Sequence, residues 1–185
     1  MFKSLGLIAL LTLTIGSACA VDSVDKQRSE IRSKTQTILS ELYRATPSAK
    51  AAVKSGVGYA VFSNKGMKIL VAGGGTGSGM AVHNGSKQET FMKMLEVQAG
   101  LGMGIKSFRV IFVFETESAF NSFVNSGWTF SGQTTAAAKS GDKGMTYQGA
   151  VSVTPGVWMY QLTDKGLALE MTGKGTKYYK NDELN

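Results

Sequence analysis

Five of the seven residues Gly73–Gly79 are glycine, inside the apolar stretch Val71–Ala81. No other feature narrows the choice of fold so sharply. Such a run either cradles a phosphate or forms a strand that must do without side chains. A Walker loop needs Gly-x-x-x-x-Gly-Lys followed by Ser or Thr, because the lysine meets the phosphates and the hydroxyl meets magnesium. The Gly-Lys at 173–174 is followed by Gly175 instead. The dinucleotide fingerprint Gly-x-Gly-x-x-Gly starts at Gly75 and Gly77, but its third position falls on Met80. The helix that should follow is also missing, since the next residues run towards an Asn84-Gly85 hairpin signal.

What remains is positional. Gly75, Gly77 and Gly79 alternate, as do Gly100, Gly102 and Gly104. Residues two apart in a strand share a face. These glycines therefore predict bare stripes that let a helix, another sheet or an aromatic ring approach the backbone. Each weakens its strand by about 0.5–1 kcal/mol relative to alanine, so the repetition implies tight packing or strong curvature. A flat lipid-facing surface is the other reading.

The chain has 185 residues, 23 of them glycine and only 2 proline, with 43% hydrophobic and 18% charged residues. This composition supports one domain with a real core. Residues 1–20 carry an early Lys3, an apolar run from Leu5 to Ile15 and then small residues, the pattern of a secretory signal. The run is too short for a convincing membrane span. Two cleavage points compete. Ala18-Cys19-Ala20 predicts a cut before Val21. Gly16-Ser17-Ala18-Cys19 resembles a lipobox and predicts a cut before Cys19 with lipid on its sulfur. Cys19 is the only cysteine, so the chain can form no internal disulfide. Net charge is +7, and loss of the leader's single lysine leaves +6. A basic exported protein suits anionic surfaces, although charge also serves solubility alone.

Residues 21–185 read as a single domain. Val24, Ile31, Ile38, Leu39, Leu42 and Tyr43 recur at helical spacing and predict a helix over 22–46, with a thin stripe interrupted at Thr35. Pro47 stops it, and 48–55 reads as a second short helix. β-like runs follow at 58–62, 68–73, 79–83, 87–97 and 109–114, the last apolar on both faces and therefore central. A helix begins near Glu117, buries Ala119, Phe120, Phe123 and Val124, and ends at Gly127. Four more runs, 128–136, 145–153, 157–162 and 167–173, alternate with turns. The expectation is α+β: a mainly antiparallel, glycine-rich β-sheet with N-terminal helices and one internal helix packed on it.

The chemistry-bearing residues are few. His83 is the one histidine and is expected at an exposed hairpin tip. With Cys19 in the leader, no His/Cys metal cluster or Cys–His nucleophile can form, and no Gly-x-Ser-x-Gly elbow supports a Ser–His–Asp triad. Glu115/Glu117 and Asp164/Glu170 read as solvated charges rather than an acid–base pair. We expect no cofactor, no metal and no catalysis. The chain also carries no nucleic-acid motif. The tail is more informative. Lys174, Lys177 and Lys180 flank Tyr178 and Tyr179. A lysine near an anionic membrane contributes about 1 kcal/mol, and tyrosine suits the headgroup boundary. The same residues equally describe an edge strand guarded by lysines against aggregation.

Blocks of this sequence resemble the SYLF domain family. Val71–Val82 resembles its Gly-Ser-Gly block and Ala99–Gly104 its next glycine block. Val110–Ala138 is similar to its strand–helix–strand centre, and Met159–Asn185 to its Lys-Gly-Leu turn, Leu-Glu strand and final tyrosine–asparagine region. The blocks occur in family order over residues 48–185, and the tail resembles the secreted bacterial branch. The resemblance implies a lipid-binding module: eukaryotic members bind phosphoinositides, some also bind actin, and exported bacterial relatives are often lipoproteins. The tryptophan–proline segment of eukaryotic members is absent, with Phe91–Val97 in its place, so their headgroup specificity does not carry over. The expectation is a non-catalytic lipid-binding protein of the bacterial envelope, in the periplasm or at the outer membrane. Lys174, Lys177 and Lys180 would supply the field for anionic phospholipid, Tyr178 and Tyr179 interfacial contact, and Cys19 a lipid anchor if acylated. The alternative is a structural or protein-interaction module of the envelope without direct lipid affinity.

Overall fold

The computed structural model describes residues 16–64, 69–70, 74–97, 108–130, 147–164, 166–168 and 175–185. The chain opens with α1 (Gly16–Ala45) and α2 (Ser48–Ser55), followed by β1 (Gly58–Ser63), β2 (Ile69–Leu70), β3 (Gly74–His83), β4 (Glu89–Val97) and β5 (Phe108–Phe114). Then come α3 (Glu117–Ser126), β6 (Trp128–Phe130), β7 (Val151–Thr154), β8 (Val157–Thr163), β9 (Gly166–Ala168) and β10 (Thr176–Lys180), with a final 3-10 turn at Asp182–Leu184. The fold is α+β, as expected. Every strand pairing is antiparallel, in the order β6-β10-β4-β3-β1-β5-β8-β7, with β2 on β3 and β9 on β8.

The sheet is curled, and its aromatic residues show by how much. Five strand spacings separate β5 from β6, which in a flat sheet would be about 24 Å. Yet the rings of Phe112 on β5 and Phe130 on β6 stack with centroids 5.6 Å apart. Tyr178 on β10 likewise meets Phe62 on β1 at 4.6 Å, edge to face. The concave face therefore closes around one cluster: Phe62, Phe112, Phe114, Phe123, Phe130 and Tyr178, with Met92, Met94 and Met159. Helix α3 contributes to this inner cluster. Thr116 caps it by accepting from the Ala119 N–H, and Phe120, Phe123 and Val124 are its buried side chains.

The glycine stripe now has its reason. Gly77 and Gly79 pair with Met94 and Met92, whose side chains lie in the inner cluster. A Cβ on Gly77 would stand 2.6 Å from both the Met94 methyl and the Ser63 carbonyl oxygen. A Cβ on Gly79 would collide with the Val61 carbonyl oxygen and the Phe62 ring. The bare stripe lets the sheet bend and the Phe62 ring lie against backbone. The second alternating set, Gly100, Gly102 and Gly104, lies outside the described residues.

Alternation sends the complementary residues to the convex face. There Val61, Ile111, Val113, Trp158, Tyr160 and Leu162 pack against Ile38, Leu39 and Leu42 of α1 and Ala49 and Val53 of α2. Ile31 joins a smaller cluster with Met80, Phe91 and Leu184. Helix α1 starts at Gly16, within the segment read as a leader, and contains Cys19. Among the described residues no helix is long and apolar enough to cross a membrane.

Four expectations are corrected. The β3–β4 hairpin is present, but His83 pairs with Gln88 across a four-residue loop, and its left-handed residue is Lys87 (φ 60°). Asn84 has a different task from turning the chain: its Nδ2 donates to the Val53 and Gly56 carbonyls at 2.7 and 2.8 Å, fastening the α2–β1 corner. The run 145–153 is a strand only from Val151, because Tyr147–Gly149 turns, with Gly149 at φ 80°. The Lys/Tyr tail is not an edge strand, because β10 pairs with β4 on one side and β6 on the other.

Candidate functional site

The predicted lysine–tyrosine segment is β10, and its two neighbours decide where each side chain goes. Thr176, Lys177 and Tyr178 oppose Phe130, Thr129 and Trp128 of β6, and Lys177, Tyr178, Tyr179 and Lys180 oppose Leu95, Met94, Lys93 and Met92 of β4. Met94 and Phe130 belong to the inner cluster, and strand alternation puts Tyr178 there too. It is 3% exposed and packs on Phe62, Phe112, Phe123 and Phe130. Tyr178 is therefore removed from the predicted contact surface. Tyrosine at that position carries core packing, and only a strand partner could reveal which of two adjacent tyrosines faced in.

Lys177 and Tyr179 face the convex side together. Lys177 is exposed, Tyr179 is half-buried, and the Lys177 Nζ lies 5.6 Å from the Tyr179 ring centroid. That cation–π contact holds the ammonium beside the ring. Lys180 is exposed at the strand's end, and Lys174 lies outside the described residues. The register adds a residue that sequence reasoning missed. Lys93 stands opposite Tyr179, and Leu95 opposite Lys177. The signal was available in Phe91–Leu95, where one lysine interrupts an apolar strand on the side that alternation sends outward. Lys93 Nζ is bound to Glu183 Oε2 at 2.9 Å, so its charge is partly offset. The surface is thus a mixed one: three ammonium groups around one phenol ring, with Asp182 and Glu183 at the rim.

His83 is not the free hairpin tip that its sequence position suggests. Its side chain is 21% exposed. Its ring meets Phe120 edge to face at 5.4 Å. Nε2 lies 2.9 Å from Glu117 Oε1, and Nδ1 lies 3.1 Å from the Ser86 hydroxyl. Hydroxyl, imidazole and carboxylate thus stand in relay order. However, Nδ1 also accepts the Ser86 backbone N–H at 3.0 Å. A backbone N–H is an obligatory donor, so it claims the lone pair that a base would need. The arrangement fastens the hairpin loop to α3. Among the described residues no three of His, Cys, Asp and Glu gather as a metal site.

The titration anomalies lie elsewhere on the convex face. Burial pushes the Tyr43 hydroxyl up to about 12, helped by Tyr59. Burial pushes Tyr147 up to about 12 as well, helped by the charge of Glu115 and its hydrogen bond. Tyr160 and Tyr59 are raised for the same first reason. These are the signs of phenols packed under helices, and none of the four residues belongs to the lysine surface.

No protein-family model matches the chain. A curated relative does: over 159 residues, 85% of the chain, it is 29% identical to a protein of Aeromonas veronii named Beta cell expansion factor A. The matched region is 58% of that protein, so the chain spans somewhat over half the length of the relative it resembles.

Proposed function

We propose that this chain is a non-catalytic, exported protein of the bacterial envelope that binds anionic phospholipid through the convex surface of β10 and β4. The observation that carries the reading is the pairing of Lys177 with the half-buried Tyr179 ring on an exposed strand face. Lys93 and Lys180 flank it. Such a group offers a phosphate positive charge and offers the headgroup boundary a ring with a polar tip. The SYLF-like order of the sequence blocks supports the same reading, with Tyr178 now assigned to the core. The mixed charge at the rim favours a second reading, an envelope protein partner in place of lipid. Residues that alternate in sign suit a complementary protein surface.

Co-sedimentation with neutral and anionic vesicles across a salt series separates the two. The lipid reading expects binding that needs anionic lipid and fades as salt rises, because exposed charges are screened beyond about 8–10 Å. Lys177→Glu with Lys180→Glu should reduce that binding at least tenfold without changing the far-ultraviolet circular dichroism. Unchanged binding in the double variant removes this surface from the mechanism. No vesicle binding by the unaltered chain transfers the proposal to the protein partner.

A further inference from the structure

The apolar stripe of α1 breaks at Thr35, and the fold shows what the break accompanies. Below α1, between the helix and the ends of β1 and β5, runs a cleft of about 300 Å³ lined by Ser33, Lys34, Thr37, Ile38, Glu41, Ser63 and Arg109. A narrow nick beside it is lined by Thr35, Ser63 and Ser78 and shares Lys34 and Ile38 with the cleft. The cleft reaches the lower end of the size range of small-molecule sites. None of its residues belongs to the lysine–tyrosine surface of β10.

Arg109 is the informative member. Its side chain is 15% exposed, and its Nη1 contacts Glu41 Oε2 at 3.3 Å. Nη2 stands 3.6 Å from Asp164 Oδ1, beyond hydrogen-bond distance, and that aspartate is 73% exposed. Nε is buried and has no hydrogen-bond partner. The guanidinium edge formed by Nε and Nη2 is the one that grips an oxyanion side-on with two parallel bonds. Here that edge has one orphan donor and one loose neighbour that a turn residue can withdraw. The charges lining the cleft are Lys34 and Arg109 against Glu41, a balance of one positive charge. The Thr37 hydroxyl donates to the Ser33 carbonyl at 3.0 Å, so what it can still offer a ligand is an acceptor.

We infer that this cleft binds a small, singly charged organic oxyanion that also carries a hydroxyl group. The oxyanion takes the Nε–Nη2 edge of Arg109 and the Lys34 ammonium, Asp164 swings into solvent, and the ligand's hydroxyl donates to Thr37. Ile38 and the aliphatic stems of Lys34 and Arg109 supply the apolar wall. A hydroxycarboxylate and a glycerol phosphodiester share this chemistry. The latter occurs both free and as a lipid headgroup.

The test follows the Arg109 side-chain Nε–H signal by ¹H–¹⁵N NMR in the purified chain. The probes are 3-hydroxybutyrate and glycerophosphoglycerol, with sodium chloride at matched ionic strength as control. The expected result is a saturable shift of that signal with at least one probe and none with chloride. Lys34→Glu, at an exposed helix position, should weaken binding at least tenfold, and Thr37→Val about threefold, while Lys177→Glu changes nothing. Competition by phosphatidylglycerol vesicles assigns the site to the headgroup, and its absence assigns it to free anions. A shift that grows linearly without saturation, or one equal in the Lys34→Glu chain, overturns the inference. Because Lys177→Glu is silent here and decisive for vesicle binding, the two proposals fail separately.

Discussion

The two faces of the curled sheet are built from different chemistry. The concave face is closed by rings: Phe62, Phe112, Phe114, Phe123 and Phe130 surround Tyr178, and α3 adds Phe120 at one end. The convex face is covered by α1 and α2, and its aromatic residues are polar-tipped: Tyr43, Tyr59, Tyr147, Tyr160 and Trp158. On the concave side Phe112, Phe114 and Phe123 are fully buried. On the convex side Trp158 Nε1 and Tyr160 Oη are buried without a hydrogen-bond partner. The difference teaches where stability and where function can reside. A face sealed by its own curvature needs hydrocarbon and tolerates no gap. A face roofed by a helix keeps polar seams, and the candidate sites, the β10 surface and the cleft at Arg109, both lie on that side.

The sharpest way to break this contrast is truncation on each face. Phe112→Ala should cost about 3–5 kcal/mol, because a buried ring is lost and the cavity is held open by neighbouring rings. Ile31→Ala, in the small cluster at the rim of α1, should cost about 2 kcal/mol, the low end for its type. Urea denaturation of both variants checks the ordering. Equal losses would mean that the convex face is as tightly packed as the concave one.

The next effect concerns curvature. Gly79→Ala places a methyl group against the Val61 carbonyl and the Phe62 ring, and overpacking of that kind costs about 1–3 kcal/mol. Alanine is otherwise the better strand residue by about 0.5–1 kcal/mol. A neutral or stabilising substitution, read from the thermal midpoint, would show that the stripe is not what admits the bend.

The smallest effect belongs to the convex face alone. Tyr43 and Tyr147 are raised in the folded chain to about 12 from the ordinary value of 10.0. For a group whose folded value is the higher, the contribution to stability is complete below pH 10 and is lost as pH rises towards 12. The urea midpoint should therefore fall across that window while tyrosinate absorbance lags behind that of the unfolded chain. A flat midpoint from pH 9.5 to 11.5 would mean that these phenols are solvated. Both side chains are about half exposed to water on this measure, so the expected slope is modest.

Much of the fold was legible in the sequence. The helices at 48–55 and from Glu117 to Gly127 follow from Pro47, the Thr116 cap and apolar spacing, all local effects. The central place of β5 follows from a run apolar on both faces. The hairpin was legible too, but not its turn: the Asn-Gly signal assumes a two-residue loop, whereas the Asn84 side chain is committed to the α2–β1 corner and Lys87 takes the left-handed conformation. Of the candidate site, the sequence supplied Lys177, Tyr179 and Lys180 as neighbours. It could not separate Tyr179 from Tyr178, nor find Lys93, because both depend on which strand lies alongside.

By itself the sequence determined an α+β chain with a glycine stripe, since periodicity and turn chemistry are properties of consecutive residues. Only the tertiary structure decided which side of that stripe is concave, because curvature is set by rings that meet across five strand spacings. The same cause placed Tyr178 inside and Lys177 outside: one residue's shift along a strand exchanges the two faces, and the register with β4 and β6 fixes that choice.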